Sequence, residues 1–248
     1  MTHLILDIGN TRAKMAVVTD GIICERSVAD SVEHLDIDTI CNKYSVTAAL
    51  ASVVGRQPDF SKLLPQDVYG RFHQLTYKSR LPITIDYDTP QTLGMDRVAA
   101  VVGARQLCHE GSLVVVDAGS CITVDLLDDS NCYRGGAIMP GLAMRFKAMH
   151  TFTDALPMVT LSPEEQDGTS CIPLTGKSTR GSLMSGVCRS VLFEIEGFVN
   201  DYKKEYGDVK LFLTGGDAVF FANQLNFPNF ASSDLVVIGL DKILEINI

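Results

Sequence analysis

Residues 4–18 read LILDIGNTRAKMAVV, and residues 113–127 read LVVVDAGSCITVDLL. Each is an apolar run that ends in Asp-x-Gly and a small polar residue, with a second apolar run starting at once. Runs rich in Val, Ile and Leu, broken by a turn-forming Asp-x-Gly, predict two β-hairpins. Asp7 aligns with Asp117, Gly9 with Gly119, and Asn10 with Ser120, an offset of 110 residues (117 − 7) in a chain of 248. An offset of nearly half the chain marks a duplicated domain rather than a short solenoid period. Two such loops facing one another can hold a nucleotide and its metal from both sides. The expected division is 1–111 and 112–248.

Outward from the hairpins, strands are expected near 3–7, 13–19 and 22–27, and again near 113–118, 121–127 and 133–138. Residues 46–54 predict a buried strand after a short helix. Residues 59–64 predict a short helix leading to a strand at 72–76. Apolar positions at helical spacing predict a helix over 94–108, and another starts near 141. The polar stretch 162–171, SPEEQDGTSC, is the expected surface loop. Residues 178–205 predict the longest helix, with Val187, Val191, Ile195, Phe198 and Val199 along one face. A strand at 209–213, a helix at 217–224, a strand at 235–238 and a helix at 240–246 close the chain. Strands mix with helices throughout, so the class is α/β.

The balance of 21 Lys+Arg against 30 Asp+Glu gives a net charge of −9. That argues against nucleic acid, whose binding rests on basic side chains neutralising phosphates. A polyanionic small ligand stays open, because glycine loops, helix N-termini and a bound cation supply local positive potential. The seven cysteines (24, 41, 108, 121, 132, 171, 188) show no zinc or disulfide spacing. They predict buried thiols in a reducing, cytoplasmic setting. The five histidines form no cluster and are expected on the solvated surface. No apolar run reaches membrane-spanning length and no leader precedes one, so no membrane association is expected.

In Asp7-Ile8-Gly9-Asn10-Thr11-Arg12-Ala13-Lys14, a carboxylate at a strand end can orient water on Mg²⁺. Gly9 lets the backbone approach a phosphate, Asn10 and Thr11 can donate to its oxygens, and Lys14 adds a point charge. One copy alone is equally an ordinary hairpin turn, and the second copy favours phosphate binding. Thr214-Gly215-Gly216-Asp217 follows a strand and opens a helix. Paired glycines there let a nucleoside lie flat on backbone, or else Asp217 is only a helix cap. These three elements in this order resemble the phosphate and adenosine motifs of the actin/hexokinase/Hsp70-like ATPase superfamily. The fold implied is a duplicated ribonuclease H-like (actin-like ATPase) fold, two mixed-sheet halves around a nucleotide cleft.

Three further segments narrow the resemblance. They are Tyr87-Asp88-Thr89-Pro90 running into Gly94-Met95-Asp96-Arg97, then Gly135-Gly136-Ala137-Ile138-Met139-Pro140-Gly141, and Thr179 in STRGSLMSG. In this order, over nearly the whole chain, the set is similar to type III pantothenate kinase. The resemblance implies that residues 7–14, Ser120, Gly215 and Gly216 bind ATP. It implies that Tyr87, Gly94, Met95, Asp96, Arg97 and Thr179 contact pantothenate, with Asp96 as general base. It implies a monovalent cation, K⁺ or NH₄⁺, on Asp117, with Asp7 holding Mg²⁺ through water. It also implies a homodimer in which Thr179 of one subunit reaches the substrate of the other. The expectation for the 178–205 helix is an apolar face that one subunit leaves partly uncovered. One departure stands out: Ser120-Cys121 replaces the usual Thr-Ala, keeping the hydroxyl and adding a thiol.

Each of these residues has a plainer reading. Asp96–Arg97 can be a helix-start pair favoured by the macrodipole, Tyr87 a packing residue, Thr179 a helix cap, and Asp117 a turn former. Two other functions also fit the pattern: a non-catalytic nucleotide-binding regulator on the same fold, or a kinase of another small hydroxyl substrate. The presence of both Asp7 and Asp96 weighs against the first. The scarcity of polar groups between Tyr87 and Arg97 weighs against a sugar.

Overall fold

Two sheets with the same strand plan organise the chain, and the computed structural model describes them through residues 1–248. In the first, β1 (Thr2–Ile8), β2 (Ala13–Thr19) and β3 (Ile22–Ala29) form an antiparallel meander. Helix α1 (Ile37–Tyr44) then leads to β4 (Ala48–Val53), which pairs parallel to β1. Short helices α2 (Phe60–Leu63) and α3 (Gln66–Tyr69) lead to β5 (Phe72–Gln74), parallel to β4. The order is β3-β2-β1-β4-β5. The two-residue β6 (Thr84–Ile85) precedes α4 (Met95–Leu107).

The second sheet repeats the plan. Strands β7 (Ser112–Ala118), β8 (Cys121–Leu127) and β9 (Cys132–Pro140) form the meander, followed by α5 (Leu142–Thr151), the one-turn α6 (Pro163–Gln166) and α7 (Thr179–Tyr206). Then β10 (Val209–Thr214) pairs parallel to β7, and after α8 (Ala218–Gln224) β11 (Asn229–Ala231) pairs parallel to β10. These strands run β9-β8-β7-β10-β11, the first order element for element. The closing helix is α9 (Leu235–Asn247).

The compact units are residues 1–109 with 234–248, and residues 110–233. The expected second half, 112–248, therefore yields its last helix to the first unit. Within that unit, alternate residues of β1 face opposite ways. Leu4, Leu6 and Ile8 join a core with Ile37, Ile40, Phe60 and Val68. The other face carries His3, whose Nδ1 lies 2.6 Å from Asp241 Oδ1 of α9. His3 is buried, contrary to the expected solvated histidines, because a carboxylate from α9 partners it there. Helix α9 crosses α4 where Gly103 and Gly239 meet. A Cβ on either would fall inside the contact radius of a carbonyl oxygen, Leu235's or Ala99's respectively.

The second core gathers Val114, Val116 and Ile122 with Val187, Val191, Ile195 and Val199 of α7. The apolar face expected to lie partly open on α7 is thus filled by its own unit, with Phe198 packed at its margin. Residues 235–238, expected as a strand, are the first turn of α9. The expected loop 162–171 contains α6, started by a capping box in which Ser162 and Glu165 bond reciprocally. Only Cys41 and Cys188 are fully buried, and burial pushes these thiols up to about 11 and about 12. No helix is long and apolar enough to cross a membrane.

Candidate functional site

In the first unit, strand pairing sets Asp7 of β1 opposite Lys14 of β2 and Ser52 of β4. Cross-strand partners share a face, so the three side chains project together. Lys14 Nζ donates to Asp7 Oδ2 at 3.3 Å, with the lysine half-exposed and the carboxylate nearly covered. The Asp7 carboxyl is held above its ordinary value, first by burial and also by the negative charge of Asp96, with Lys14 opposing both. Asp96 therefore lies within electrostatic range of Asp7. The N–H of Gly9 donates to the carbonyl of Arg12 at 3.0 Å and closes the turn. Gly9, Asn10, Thr11 and Arg12 are exposed on it, while Ile8 and Ala13 anchor it from the core. A cavity of about 580 Å³ opens beside the turn, between it and the segments carrying Asp30, Glu33 and Arg56.

Asp96 is the second residue of α4, and its Oδ1 accepts the N–H of Arg97 at 2.9 Å. An acidic residue in the first turn also favours the helix dipole. Gly94 precedes the helix, and a Cβ built there would stand 2.5 Å from Asp96 Oδ1. The glycine is what leaves space for the carboxylate. Met95 and Tyr87 are half-buried, and Arg97 is buried.

In the second unit, Asp117 of β7 pairs with Thr123 of β8 and Thr214 of β10. The turn is one residue shorter than its counterpart: the N–H of Gly119 donates to the Cys121 carbonyl at 3.0 Å. Ser120 and Cys121 are exposed on it. Gly215 adopts φ +93°, in the left-handed region, and a Cβ there would lie 2.5 Å from both Asp117 Oδ1 and the Ala118 carbonyl oxygen. Only glycine fits this contact without strain. The N–H of Asp217 donates to that same carbonyl at 2.9 Å, so the Gly215–Asp217 loop lies on the Asp117 turn. Gly216 is exposed with open space around its Cα, and burial raises the Asp217 carboxyl. Thr179 is the exposed first residue of α7. Its neighbour Ser178 does the capping, accepting the N–H of Gly181 at 3.1 Å.

The sequence-predicted residues thus gather in two sets. Asp7, Lys14 and Asp96 interact in the first unit, and Asp117, Gly119, Ser120 and Gly215 in the second. Two residues escaped the sequence reading. Ser52 Oγ and Thr123 Oγ1 are buried hydroxyls without a partner, in register with Asp7 and Asp117 respectively. A buried hydroxyl left unpaired is costly, so each position suits an added oxygen ligand, water or cation. The residues therefore fit a hydrated Mg²⁺ near Asp7, since Mg²⁺ keeps most of its waters, and a cation near Asp117. The signal for Ser52 was a lone hydroxyl inside the apolar run 48–53.

A family model described as type III pantothenate kinase matches residues 3–201. A type III pantothenate kinase of Cytophaga hutchinsonii is 38% identical over 246 residues, covering 99% of this chain and 100% of that protein. Among solved structures, a protein described as a Baf family transcriptional activator from Campylobacter jejuni superposes with a TM-score of 0.61. It is 26% identical, over 98% of this chain and 97% of its own. Component A of the (R)-2-hydroxyglutaryl-CoA dehydratase of Acidaminococcus fermentans gives 0.59 at 14% identity, over 100% and 96%. The fold is that of the actin-like ATPases.

Proposed function

Given that the chain belongs to the type III pantothenate kinase family and phosphorylates pantothenate with ATP to give 4′-phosphopantothenate, the first step of coenzyme A synthesis, we propose a division of labour among its residues. The turn at 7–14 binds the nucleotide phosphates, with backbone N–H groups, Asn10, Thr11 and Lys14 as donors. The Ser120 hydroxyl binds phosphate from the second turn, and Gly215–Gly216 supply a flat backbone surface for the nucleoside. Gly94 to Arg97 and Tyr87 hold pantothenate, and Thr179 contacts it.

Asp96 acts as general base. As its carboxylate takes the proton of the primary hydroxyl, the hydroxyl oxygen bonds to the γ-phosphorus. The bond from that phosphorus to the β–γ bridging oxygen breaks, and ADP leaves. Phosphoryl transfer asks little covalent chemistry of a protein, so positioning and electrostatics carry most of the rate. When bound, Mg²⁺ neutralises phosphate charge; Asp7 and Ser52 would hold its waters, and Asp117 with Thr123 would hold K⁺ or NH₄⁺. The observation that supports this reading is that the negative charge of Asp96 is felt at Asp7 of the first phosphate turn, as expected of a base acting next to the nucleotide. The test is a coupled kinase assay with pantothenate, comparing the wild type with Asp96→Asn. Near-normal turnover by the variant would remove Asp96 from the role.

A homodimer belongs to the same proposal. With the inner face of α7 covered, the support is elsewhere: Phe193 of α7, Met144 and Met149 of α5, Phe152 just after it, and Ile138 of β9 are exposed. Large apolar side chains left exposed in this way support a contact with a second copy, and a twofold contact is the commonest oligomer symmetry.

A further inference from the structure

We propose that Arg145 is a positioning residue for the nucleotide, holding the second phosphate turn in place through its guanidinium group. The inference rests on the reading that the Ser120 turn contacts nucleotide. Arg145 projects from the first turn of α5, and its side chain is only 16% exposed. Its Nε donates to the Pro140 carbonyl at 2.8 Å. Its two terminal nitrogens fork onto Glu194 of α7 at 2.9 and 2.6 Å, and Nη1 also reaches Ser190 Oγ at 3.3 Å. The guanidinium thus ties the end of β9 to the middle of the longest helix.

The next residue along the chain passes this constraint to the site. The N–H of Gly141 donates to the Ser120 carbonyl at 3.1 Å. A Cβ on Gly141 would overlap the carbonyl oxygen of Gly119, so the two backbones are in direct contact. The turn at 117–121 is therefore gripped from two sides, by Gly215–Asp217 on one and Pro140–Gly141 on the other. The first grip is anchored in β10 and α8. The second is anchored by the Arg145 side chain through the Pro140 carbonyl. The role needs arginine in particular. Its planar fork meets a carboxylate with two parallel bonds while Nε stays free for the carbonyl. A lysine carries the same charge but cannot make both contacts from one rigid plane.

The experiment compares Arg145→Lys, Glu194→Gln and Ser120→Ala with the wild type. Readouts are KM for ATP, KM for pantothenate, ADP affinity by calorimetric titration, and thermal melting. If Arg145 positions the turn, Arg145→Lys raises the ATP KM and the ADP dissociation constant by about tenfold or more, the worth of a lost charge-assisted bond. The pantothenate KM stays within about twofold. Glu194→Gln shifts the same two constants in the same direction by less, since the Pro140 bond survives. The proposal is overturned if Arg145→Lys binds ADP as the wild type does, or if ATP and pantothenate constants worsen together with a fall in melting temperature. The same variants keep the test valid if Arg145→Ala fails to fold. Ser120→Ala separates the two layers. Normal ADP binding by that variant and by Arg145→Lys would sink the underlying reading of the turn. Weakened binding by Ser120→Ala alone would sink only the role of Arg145.

Discussion

Gly94→Ala should silence the enzyme while leaving it folded. Gly94 has φ −61° and ψ 120°, a conformation alanine adopts freely, so the backbone resists nothing. The added methyl would meet Asp96 Oδ1 at 2.5 Å, and the next atom, Arg97 Cδ, at 3.6 Å, an ordinary contact. The cheapest relief is rotation of the Asp96 carboxylate, which breaks its 2.9 Å bond from the Arg97 N–H. That loss costs about 1 kcal/mol of stability. It is offset by roughly 0.4–1 kcal/mol, because alanine narrows the unfolded ensemble. The melting temperature should therefore move by no more than about 4 °C. Turnover is far more sensitive: displacing a catalytic group by about 1 Å costs on the order of 100-fold. A 100-fold loss is about 2.7 kcal/mol of barrier, well above the stability change. The assay is ADP release at saturating ATP and pantothenate, beside a thermal melt. A variant within about threefold of wild-type kcat would refute the argument that Gly94 exists to seat Asp96. So would a loss of activity that merely tracks unfolding.

Asp96→Asn keeps the shape and removes the base, so kcat should fall by about 100-fold or more with an unchanged melt. Asp7 has a raised pKa, so between its unfolded and folded values the native state binds more protons and stability falls as pH rises. Asp7→Asn should then melt higher than the wild type at neutral pH, with the difference vanishing below about pH 4, near the unfolded value; an equal gap at all pH values would contradict this. Activity should rise strongly with K⁺ or NH₄⁺ and little with Na⁺, and Thr123→Val should blunt that rise; indifference to the cation would count against a site at Asp117. Phe193→Glu should shift the light-scattering mass from dimer to monomer, and a wild-type monomer fully active at nanomolar concentration would remove the dimer.

The hairpins were legible because strand alternation and Asp-x-Gly turn chemistry are local, and both act within a few residues. Asp96 was legible through its neighbours in the motif, but the reason for Gly94 was not, since it depends on where a side chain two residues on is aimed. The clearest failure is Leu235-Val236-Val237-Ile238. Four aliphatic residues before a glycine look like a strand that stops at Gly239. The structure uses that glycine in the opposite sense, in mid-helix, where its missing side chain lets α4 pass. A helix buried on most sides has no polar stripe, so its periodicity disappears from the sequence. The same crossing explains why the closing helix joins the first unit. At α6 the signal was present: Ser162-Pro163-Glu164-Glu165 is a capping box, masked by the polarity of its surroundings. The roles proposed for Ser52, Thr123 and Arg145 rest on strand register and a fork across two helices, neither of which follows from spacing.

The two halves share a strand plan, and their differences are where function enters. In the first hairpin the residue paired with the key aspartate is Lys14; in the second it is Thr123. An ammonium beside Asp7 offsets part of that buried negative charge and adds a donor for phosphate oxygen. A hydroxyl beside Asp117 adds no charge and has a lone pair that a cation can use. The turns diverge in the same sense. Four residues from Gly9 to Arg12 carry several exposed donors, whereas three from Gly119 to Cys121 carry Ser120 as the chief side-chain donor. On the proposed reading, the first copy keeps the anion-binding turn and the base. The second gives up its lysine and gains a cation and the glycine pair at 215–216. On that reading the two strand ends are equivalent in plan, and one cross-strand position in each tunes what the aspartate holds.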